Sequence, residues 1–377
     1  MTLDALRFDA ATILESLRPW VACESPTWDT AAVGRMMDLA GRDLALLGAS
    51  VERIPGRMGF GDCLRARIPH PRAGTPGILL LGHMDTVHPV GTLGTLAWRH
   101  DGGRCYGPGL FDMKGGNMLM LAALRALQDA AVPTALPVTI LFTSDEEVGS
   151  PSTRDLIEAE AARHRYVLVP EPARADGGVV VARYAIARYR IATHGRPSHA
   201  GAQLAAGASA IREMARQILA IEGMSGDSPT YSVGIVRGGA WSNCVAMLCE
   251  AEVLTMARTA ADLAQADAAM AGLRAVGEGC RVTVTPGPVR PLWERGNPGG
   301  ERLYAAARDL AAGLGFAITA QASGGGSDGN FTGALGIPTL DGLGVRGDGA
   351  HTLEEHIVID SLPERARLLA GLLATLD

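Results

Sequence analysis

Three uninterrupted apolar segments in the first half of the chain each run into acidic or imidazole side chains. The segments and the side chains that follow them are residues 77–82 with His83, residues 138–143 with Asp145, Glu146 and Glu147, and residues 166–170 with Glu171. Such a run is typical of a strand buried on both faces of a parallel sheet. Helical spacing over residues 117–130 and 153–162 separates the strands. The pattern therefore predicts an α/β sheet flanked by helices, with a site at the carboxyl ends of its strands.

Residues 9–47 repeat apolar side chains at helical spacing, with a break at Ser25-Pro26-Thr27, and predict two helices before a strand at residues 64–68. From Tyr184 the pattern changes to that of a smaller α+β module. Its predicted strands and helices are residues 185–193, 204–221, 231–236, 245–256, 260–276 and 281–285. This β-α-β-β-α-β order predicts a ferredoxin-like insert that closes at Pro286-Gly287-Pro288.

The pattern of the larger domain resumes after the insert. Helical spacing returns over residues 301–314 and 362–376, on either side of an apolar strand at residues 337–344. We therefore predict a mostly parallel α/β domain that is interrupted by the insert. The predicted segments are the first part of the larger domain at residues 1–183, the insert at 184–293 and the second part at 294–377.

Composition narrows the choice of partner and compartment. The 377 residues are 47% hydrophobic and carry a formal net charge of −6 without a block of like charges. This disfavours a nucleic-acid or membrane-surface partner and favours a small molecule. Six cysteines without a CxxC pair argue against a thiolate zinc site and a disulfide framework. The acidic N-terminal residues, and the lack of an apolar run of ~18 residues, predict a cytoplasmic protein without a membrane span.

His83 and Asp85 lie two residues apart at a predicted strand end, so alternation places both side chains on the same side. A carboxylate in that position can orient a metal-bound imidazole, although a lone His-x-Asp more often marks a structural histidine beside a loop acid. Asp112 lies in a glycine-dense turn that leads into a helix. Phosphate loops share that feature, but neither GxGxxG nor GxxxxGK[ST] occurs in this turn, which disfavours a nucleotide site.

Asp145, Glu146 and Glu147 place three acids in a row, which is unfavourable unless cations, protons or solvent compensate their charge. Neighbours in a turn face different ways, so one glutamate can bind a metal while the other moves a proton. The side chains expected to meet are two imidazoles and three carboxylates, namely His83, Asp112, Glu147, Glu171 and His351. This set without a thiolate suits catalytic zinc, with cobalt or manganese as alternatives. It predicts two ions ~3.5–4 Å apart, with Asp112 as the bridge and Glu146 as the acid outside the ligand set.

Short motifs follow one another in a fixed order along nearly the whole chain. They are Gly-His-Met-Asp-Thr-Val at 82–87, Tyr-Gly-Pro-Gly-x-x-Asp-x-Lys-Gly-Gly-Asn at 106–117, Asp-Glu-Glu-x-Gly-Ser at 145–150, Glu-Pro at 171–172, Gly-Arg-x-Ser-His-Ala-Gly at 195–201 and Gly-Gly-Gly-Ser-Asp at 324–328. This series resembles the co-catalytic zinc peptidase family of glutamate carboxypeptidase, acetylornithine deacetylase and succinyl-diaminopimelate desuccinylase. Within that family the chain is most similar to the bacterial folate-cleaving glutamate carboxypeptidases.

The resemblance implies a role for each residue that matches a family motif. The implied ligands are His83, Asp112 and Glu171 for one zinc ion, and Asp112, Glu147 and His351 for the other. Glu146 would be the general base, and Asp85 would support His83. The insert would be a lid and dimerisation domain, whose His199 stabilises the oxyanion in the active site of the partner subunit. From the sequence alone, His199 is an ordinary loop histidine.

The implied substrate-binding residues are Asn243, Arg290, Gly326 and Ser327. The carboxypeptidase pattern also has an arginine thirteen residues after Asn243, where this chain has Met256; Arg258 is the candidate substitute. We therefore predict a dinuclear zinc hydrolase that cleaves an amide bond in an N-acyl amino acid or small peptide-like substrate. The alternatives are a metal-dependent aminohydrolase acting on an aromatic or heterocyclic amine and, less favoured because no predicted ligand or base is missing, a non-catalytic binding protein.

Overall fold

The computed structural model describes residues 6–377, which divide into two compact units. The second unit consists of Arg183–Trp293 together with Gly324–Gly326, and the first contains the rest of the described chain. The backbones of Arg183 and Trp293 form a two-way bridge, with N···O distances of 2.9 and 3.0 Å. The long segment of the second unit therefore begins and ends at one pair of hydrogen-bonded residues, and Gly324–Gly326 joins the unit separately.

Side chains cap the N-termini of several helices in the described chain. Asp9, for example, accepts a hydrogen bond from the backbone N–H of Thr12 at 2.8 Å. The helices are α1 (Ala10–Ala22), α2 (Thr30–Leu46), α3 (Gly115–Asp129), α4 (Arg154–Ala161), α5 (Ala210–Glu222), α6 (Ala260–Ala271), α7 (Pro298–Gly313), α8 (Gly329–Ala334) and α9 (Ser361–Thr375). The strands are β1 (Ser50–Ile54), β2 (Cys63–Arg67), β3 (Ile78–His83), β4 (Arg99–Asp101), β5 (Arg104–Tyr106), β6 (Val138–Thr143), β7 (Tyr166–Leu168), β8 (Val179–Arg183), β9 (Ala185–His194), β10 (Thr230–Gly238), β11 (Leu248–Ala257), β12 (Arg281–Arg290), β13 (Ala320–Ser323), β14 (Thr339–Leu340), β15 (Gly347–Asp348) and β16 (His356–Val358).

The main sheet of the first unit has the strand order β1-β2-β6-β3-β7-β14. Strands β6, β3, β7 and β14 pair in parallel, and β1 and β2 extend the sheet antiparallel. Leu80 and Ile140 pack into the core on one face, whereas Leu79 and Leu141 pack into a separate core on the other. Because both faces are covered, the central strands are apolar at successive positions rather than at alternate ones.

A smaller antiparallel sheet, in the order β15-β16-β5-β4, joins the segment before Asp112 to the segment after His351. The register pairs His356 with Tyr106 and Ile357 with Cys105. A further two-stranded sheet pairs β13 with β8. These short strands bring the second part of the larger domain back to the glycine turn of the first part.

The second unit is an antiparallel sheet in the order β10-β11-β9-β12, with α5 and α6 packed on one face. Alternate residues of β11 are buried, as expected for a sheet with one covered face. The core of this unit includes Tyr189, Ile191, Met214, Val253 and Met270. Its elements follow one another as β-α-β-β-α-β.

Several predicted boundaries were wrong. The helix predicted from residue 204 begins at Ala210: Leu204–Ala206 forms only a 3₁₀ turn, Gly207 follows it in an extended conformation, and Ser209 caps the helix. The strand predicted to end at residue 285 continues to Arg290, which is possible because β12 is an edge strand that tolerates proline. The strand predicted at 337–344 contains only Thr339–Leu340, and the helix predicted at 260–276 ends at Ala271.

Candidate active site

The parallel strands of the main sheet bring three predicted ligands to one edge. His83 is the last residue of β3, and it pairs in register with Thr143, the last residue of β6. Glu147 follows β6 by four residues, and Glu171 follows β7 by three. The carboxyl ends of parallel strands meet at the same edge of a sheet, so the order of the strands places these side chains together.

Asp112 lies between two imidazoles. Its Oδ1 is 3.3 Å from Nε2 of His83, and its Oδ2 is 3.3 Å from Nε2 of His351. The turn that presents Asp112 contains Gly109 in the left-handed region, with φ of +70°, where a side chain would also collide with Thr86 at 2.5 Å. Each oxygen of one carboxylate therefore faces a different imidazole.

The two remaining carboxylates complete two groups around Asp112. Oε1 of Glu171 lies 3.8 Å from Nε2 of His83, whereas Oε2 of Glu147 lies 3.2 Å from Nε2 of His351. Within residues 6–377, potential ligand atoms of His83, Asp112 and Glu147 all lie within 4.8 Å of one another. The structure thus brings the five predicted ligand side chains together around Asp112, while their division between two ions stays a prediction.

Burial and mutual repulsion perturb the acids of this cluster. Burial raises the pKa of Glu147 to about 8, and the charge of Asp112 adds to the increase. Burial likewise raises the pKa of Glu171 well above its ordinary range. Although burial alone would raise it, hydrogen bonds with His351 and His83 hold the pKa of Asp112 below its usual value. Those contacts with Asp112 and Glu147 in turn raise the pKa of His351 to about 11.

Asp85 supports the turn that carries the two glutamates. It is fully buried, and its carboxylate accepts hydrogen bonds from the backbone N–H groups of Glu146 and Glu147 at 3.2 and 3.3 Å and from the hydroxyl of Thr27 at 2.7 Å. Nδ1 of His83 lies 2.9 Å from the backbone carbonyl of Asp85 and 3.4 Å from its carboxylate. The carbonyl is therefore the nearer acceptor for the ring, and the expected carboxylate–imidazole bond is the weaker contact.

Glu146 opens a short 3₁₀ turn, Glu146–Val148, and its side chain is 8% exposed. The preceding Asp145 anchors this turn by accepting hydrogen bonds from the backbone N–H of Ser152 at 2.7 Å and from the hydroxyl of Thr153. Burial raises the pKa of Asp145 to about 6. The consecutive acids therefore differ in their surroundings: Asp145 anchors the turn, whereas Glu147 lies beside the imidazole of His351.

Comparison with known proteins identifies the family of this chain. The model of peptidase family M20/M25/M40 matches residues 79–375. Carboxypeptidase G2 of Pseudomonas sp. (strain RS-16) is 31% identical over 395 residues, covering 99% of this chain and 92% of the relative. This chain belongs to peptidase family M20/M25/M40. Acetylornithine deacetylase of Myxococcus xanthus is 31% identical over 192 residues, about half of each chain (47% and 48%).

Solved structures share the fold of this M20 chain. Human carnosine dipeptidase 1 superposes with a TM-score of 0.75 at 13% identity, over 97% of this chain and 96% of its own. A tripeptidase from Staphylococcus aureus gives a TM-score of 0.73 at 21% identity, over 97% and 98%. The predicted family and the mixed α/β fold are confirmed. The M20 chain is a metal-dependent hydrolase of amide bonds in peptide-like or N-acyl amino acid substrates, and the aminohydrolase alternative finds less support.

In the second unit of this M20 peptidase, His199 and Asn243 lie on adjacent exposed segments. The backbone N–H of Ala200 donates to the carbonyl of Asn243 at 2.9 Å. Nδ1 of His199 accepts from the backbone N–H groups of Gly201 and Ala202 at 3.2 and 3.0 Å. Since Nδ1 accepts, a neutral ring carries its proton on Nε2, which is then a donor.

The two arginines differ in their surroundings. Arg258 is exposed and lies one residue beyond the end of β11. Its guanidinium lies 5.6 Å from the ring centroid of Tyr184. Arg290 is 1% exposed, and its Cδ would lie 2.6 Å from a side chain at Gly326, which explains why this position is a glycine.

Ser327 is fully buried in the first unit, where its hydroxyl donates to Asp341 at 2.6 Å and accepts from the backbone N–H of Gly329 at 2.8 Å. Asp328, which the motif contains but the sequence argument did not use, accepts from the hydroxyls of Thr143 and Ser150. It thereby links the end of β6 to the last motif. No helix in residues 6–377 is both long and apolar enough to cross a bilayer.

Proposed function

We propose that this site holds two divalent metal ions, preferentially zinc, and acts as a carboxypeptidase or deacylase. His83, Asp112 and Glu171 would hold one ion, and Asp112, Glu147 and His351 the other. The observation that carries the proposal is the position of Asp112, whose two oxygens each lie 3.3 Å from a different imidazole. Cobalt and manganese suit the same nitrogen and oxygen donors.

These donor atoms are better suited to binding metal ions than to a purely structural role without ions. Oε1 of Glu147 is buried and accepts no hydrogen bond from the described residues. A buried acid without a partner costs free energy unless a proton or a cation compensates it. The set also lacks thiolates and contains one shared carboxylate, which is the composition of a two-metal hydrolytic site.

The chemistry divides between the ions and the chain. When bound, the ions would supply Lewis acidity toward the substrate carbonyl and toward a water molecule. Glu146 would accept the proton of the attacking water and return it to the leaving nitrogen. The buried Asp85 would hold the turn of Glu146 through the backbone N–H groups that it binds. His199 would donate its Nε2–H to the oxyanion of the tetrahedral intermediate.

Recognition of the substrate is assigned to Asn243, Arg258, Arg290, Gly326 and Ser327. Exposure favours Asn243 and Arg258 for direct contact with a substrate carboxylate. The buried positions of Arg290 and Ser327 favour support of the surrounding backbone instead. Met256 in place of the family's arginine argues for an amine product other than glutamate, because a thioether cannot bind a carboxylate bidentately.

A screen of the zinc-loaded enzyme tests this function. N-acyl amino acids, dipeptides and folates are incubated with the enzyme, and the products are identified by mass spectrometry. We expect a free amino acid and its acyl partner, with loss of activity in EDTA and recovery on adding zinc. Release of ammonia without amide cleavage would favour the aminohydrolase, and turnover that persists without metal would overturn the proposal.

We further propose a homodimer through the second unit. Its sheet has two different edges: β12 contains Pro286 and Pro288, which block strand addition, whereas β10 contains no proline. Exposed apolar side chains lie along β10 and on α5 beside it, namely Ile211, Leu219, Ile235 and Val236. A second copy that pairs at β10 would cover them by the same surface on both chains. A monomer in sedimentation at micromolar concentration would contradict this arrangement.

Subunit exchange tests whether His199 acts in the partner's site. Mixing inactive His199→Ala with inactive Glu146→Gln should create one whole site per heterodimer, with Glu146 from one chain and His199 from the other. Activity should return to a substantial fraction of wild type, since each single variant lacks only one group. If mass analysis verifies exchange and activity does not return, His199 works within its own chain or has no catalytic role.

A cytoplasmic location is also proposed. All six cysteines are free thiols, and Cys63 and Cys105 are fully or nearly fully buried. Unpaired thiols are typical of a reducing compartment. Fractionation of cells that produce the tagged chain checks this location, and recovery outside the cytoplasm would contradict it.

A further inference from the structure

Glu355 places a buried carboxylate under the turn that presents Asp112. Its side chain is 1% exposed. Oε1 accepts hydrogen bonds from the backbone N–H groups of Phe111 and Asp112 at 2.8 and 3.1 Å, and Oε2 accepts from that of Gly109 at 2.8 Å. Oε2 also lies 2.8 Å from Nε2 of the buried His88. Four donors therefore converge on one carboxylate.

Three backbone N–H groups that point to one place form an anion-binding concavity. Buried donors without an acceptor are costly, so a turn of this shape is stable only when an anion occupies it. In this chain the anion is Glu355, which comes from a segment more than 240 residues away in sequence. The turn that aims Asp112 is thus completed by a distant side chain.

The same segment carries His351, four residues before Glu355. The backbone carbonyl of Glu355 accepts from the N–H of Gly107 at 3.4 Å, and the next residue, His356, pairs with Tyr106. The segment is therefore attached to the Asp112 turn through both its backbone and its side chain. A shift of Glu355 would change the distance between the imidazole of His351 and the carboxylate of Asp112.

We propose that Glu355 is a positioning residue that sets the spacing of Asp112 and His351, with His88 fixing the orientation of its carboxylate. The inference rests on the proposed two-metal site and concerns the ion that Asp112, Glu147 and His351 would hold. Glu355 acts through those ligands and is not itself one of them, because all four of its contacts are to N–H donors.

Loss of the Glu355 carboxylate should weaken the binding of the two ions unequally. His83 is held separately: its backbone carbonyl accepts from the side chain of Asn117 at 2.6 Å, and its Nδ1 faces the carbonyl of Asp85. Glu171 follows β7, whose partners are β3 and β14. Apart from the shared Asp112, the ligands of the other ion are thus positioned by the main sheet and not by Glu355.

Metal titration of Glu355→Gln tests the inference without turnover. The amide would place N–H donors against backbone donors, so the turn should lose its geometry. Competition of the metal-free protein with a chromophoric chelator reads both zinc affinities. We expect one of the two affinities to fall ~10–100-fold, the usual effect of changing a group behind a ligand, while the other changes by less than about threefold. The affinity that falls should be the same one that His351→Ala removes. Glu355→Asp should fall between wild type and Glu355→Gln.

Two further variants separate positioning from folding. Glu354→Gln changes the adjacent, exposed glutamate and should leave both affinities at the wild-type level. His88→Phe keeps a ring in the buried space but removes the donor to Glu355, so it should weaken the same ion to a smaller extent. This milder variant carries the test if Glu355→Gln does not fold.

Two results would overturn the inference while leaving the two-metal site intact. One is that the wild-type protein binds two ions and the Glu355→Gln variant binds both of them as tightly. The other is an equal loss for both ions together with a lower unfolding temperature of the metal-free protein, which a purely structural role would produce. A wild type that takes up only one ion would instead refute the two-metal site, and this inference with it.

Discussion

Two glutamates with buried side chains, one in each unit, differ in the hydrogen-bond donors that surround their carboxylates. In the second unit, Glu213 is 1% exposed and accepts hydrogen bonds from the backbone N–H groups of Val276 and Gly277 at 2.9 and 2.8 Å. Although burial raises it, these bonds bring the pKa of Glu213 below its ordinary value. In the first unit, Glu147 has a buried oxygen that accepts no hydrogen bond from the described residues, and burial raises its pKa to about 8.

The difference separates a structural acid from a functional one. The fold supplies the donors that Glu213 needs, so its charge joins α5 to the segment after α6 at no further cost. Glu147 contacts the imidazole of His351 through Oε2, but its buried Oε1 accepts no hydrogen bond from the described residues, so a proton or an external cation is needed to compensate its charge fully. Strongly perturbed acids of this kind cluster at functional sites. The contrast can be tested with changes in both units.

The largest expected effect comes from Glu146→Gln. The variant should bind the same number of metal ions as wild type, because Glu146 lies outside the ligand set. Its kcat should fall by at least ~10²–10⁴, because proton transfer is lost. Steady-state kinetics together with metal analysis of the same sample check both statements. Near-normal kcat at full metal content would end the assignment of Glu146 as the base.

Glu147→Gln and His351→Ala should reduce the metal content from two ions to about one per chain at micromolar zinc. Each variant would remove a donor that the proposed site assigns to one ion only. Elemental analysis after dialysis measures the content, and Glu213→Gln is the matched control because it changes a buried glutamate of the other unit. Two ions retained in either ligand variant would show that the functional region has been assigned wrongly.

Glu213→Gln should lower the free energy of unfolding by ~1–3 kcal/mol at pH 7, since hydrogen bonds to a buried charge are lost. The folded-state pKa is lowered, so the stabilisation is present above the ordinary value of 4.5 and is lost as the pH falls through the folded-state value. The gap between wild type and variant should therefore narrow in acid. Urea unfolding at pH 7 and pH 4 measures it, and a constant gap would contradict the ionic role of Glu213.

The smallest expected effect is the release of protons when zinc binds. With pKa values of about 8 and about 11, Glu147 and His351 of the metal-free protein both carry a proton at pH 7, and an ion must displace both. Zinc affinity should therefore rise as the pH increases through 8. Calorimetry in buffers of different ionisation enthalpy should detect proton release, and less of it from Glu147→Gln. Equal release from the two proteins would argue against a raised pKa at this position.

The sequence was sufficient for the parts of the site that local pattern controls. Uninterrupted apolar runs predicted β3, β6 and β7, and the side chains after them meet because parallel strands share an edge. Thr27 and Glu355 were missed, because they reach the site across 58 residues to Asp85 and 243 residues to Asp112. Nothing in the local pattern of a threonine or glutamate specifies a partner at that distance. The short strands around Asp112 were missed for the same reason.

The backbone bridge between Arg183 and Trp293 affects which changes of the second unit the larger domain can tolerate. Arg183 and Trp293 are neighbours across a backbone bridge, so their Cα atoms lie ~5 Å apart, a gap that two or three residues can close. An insertion that starts and finishes at one bridge leaves the register of the host sheet unchanged, whatever its length. The segment between Arg183 and Trp293 is therefore an exchangeable module, and replacing it or shortening it to a turn would leave the order of β6, β3, β7 and β14 unchanged.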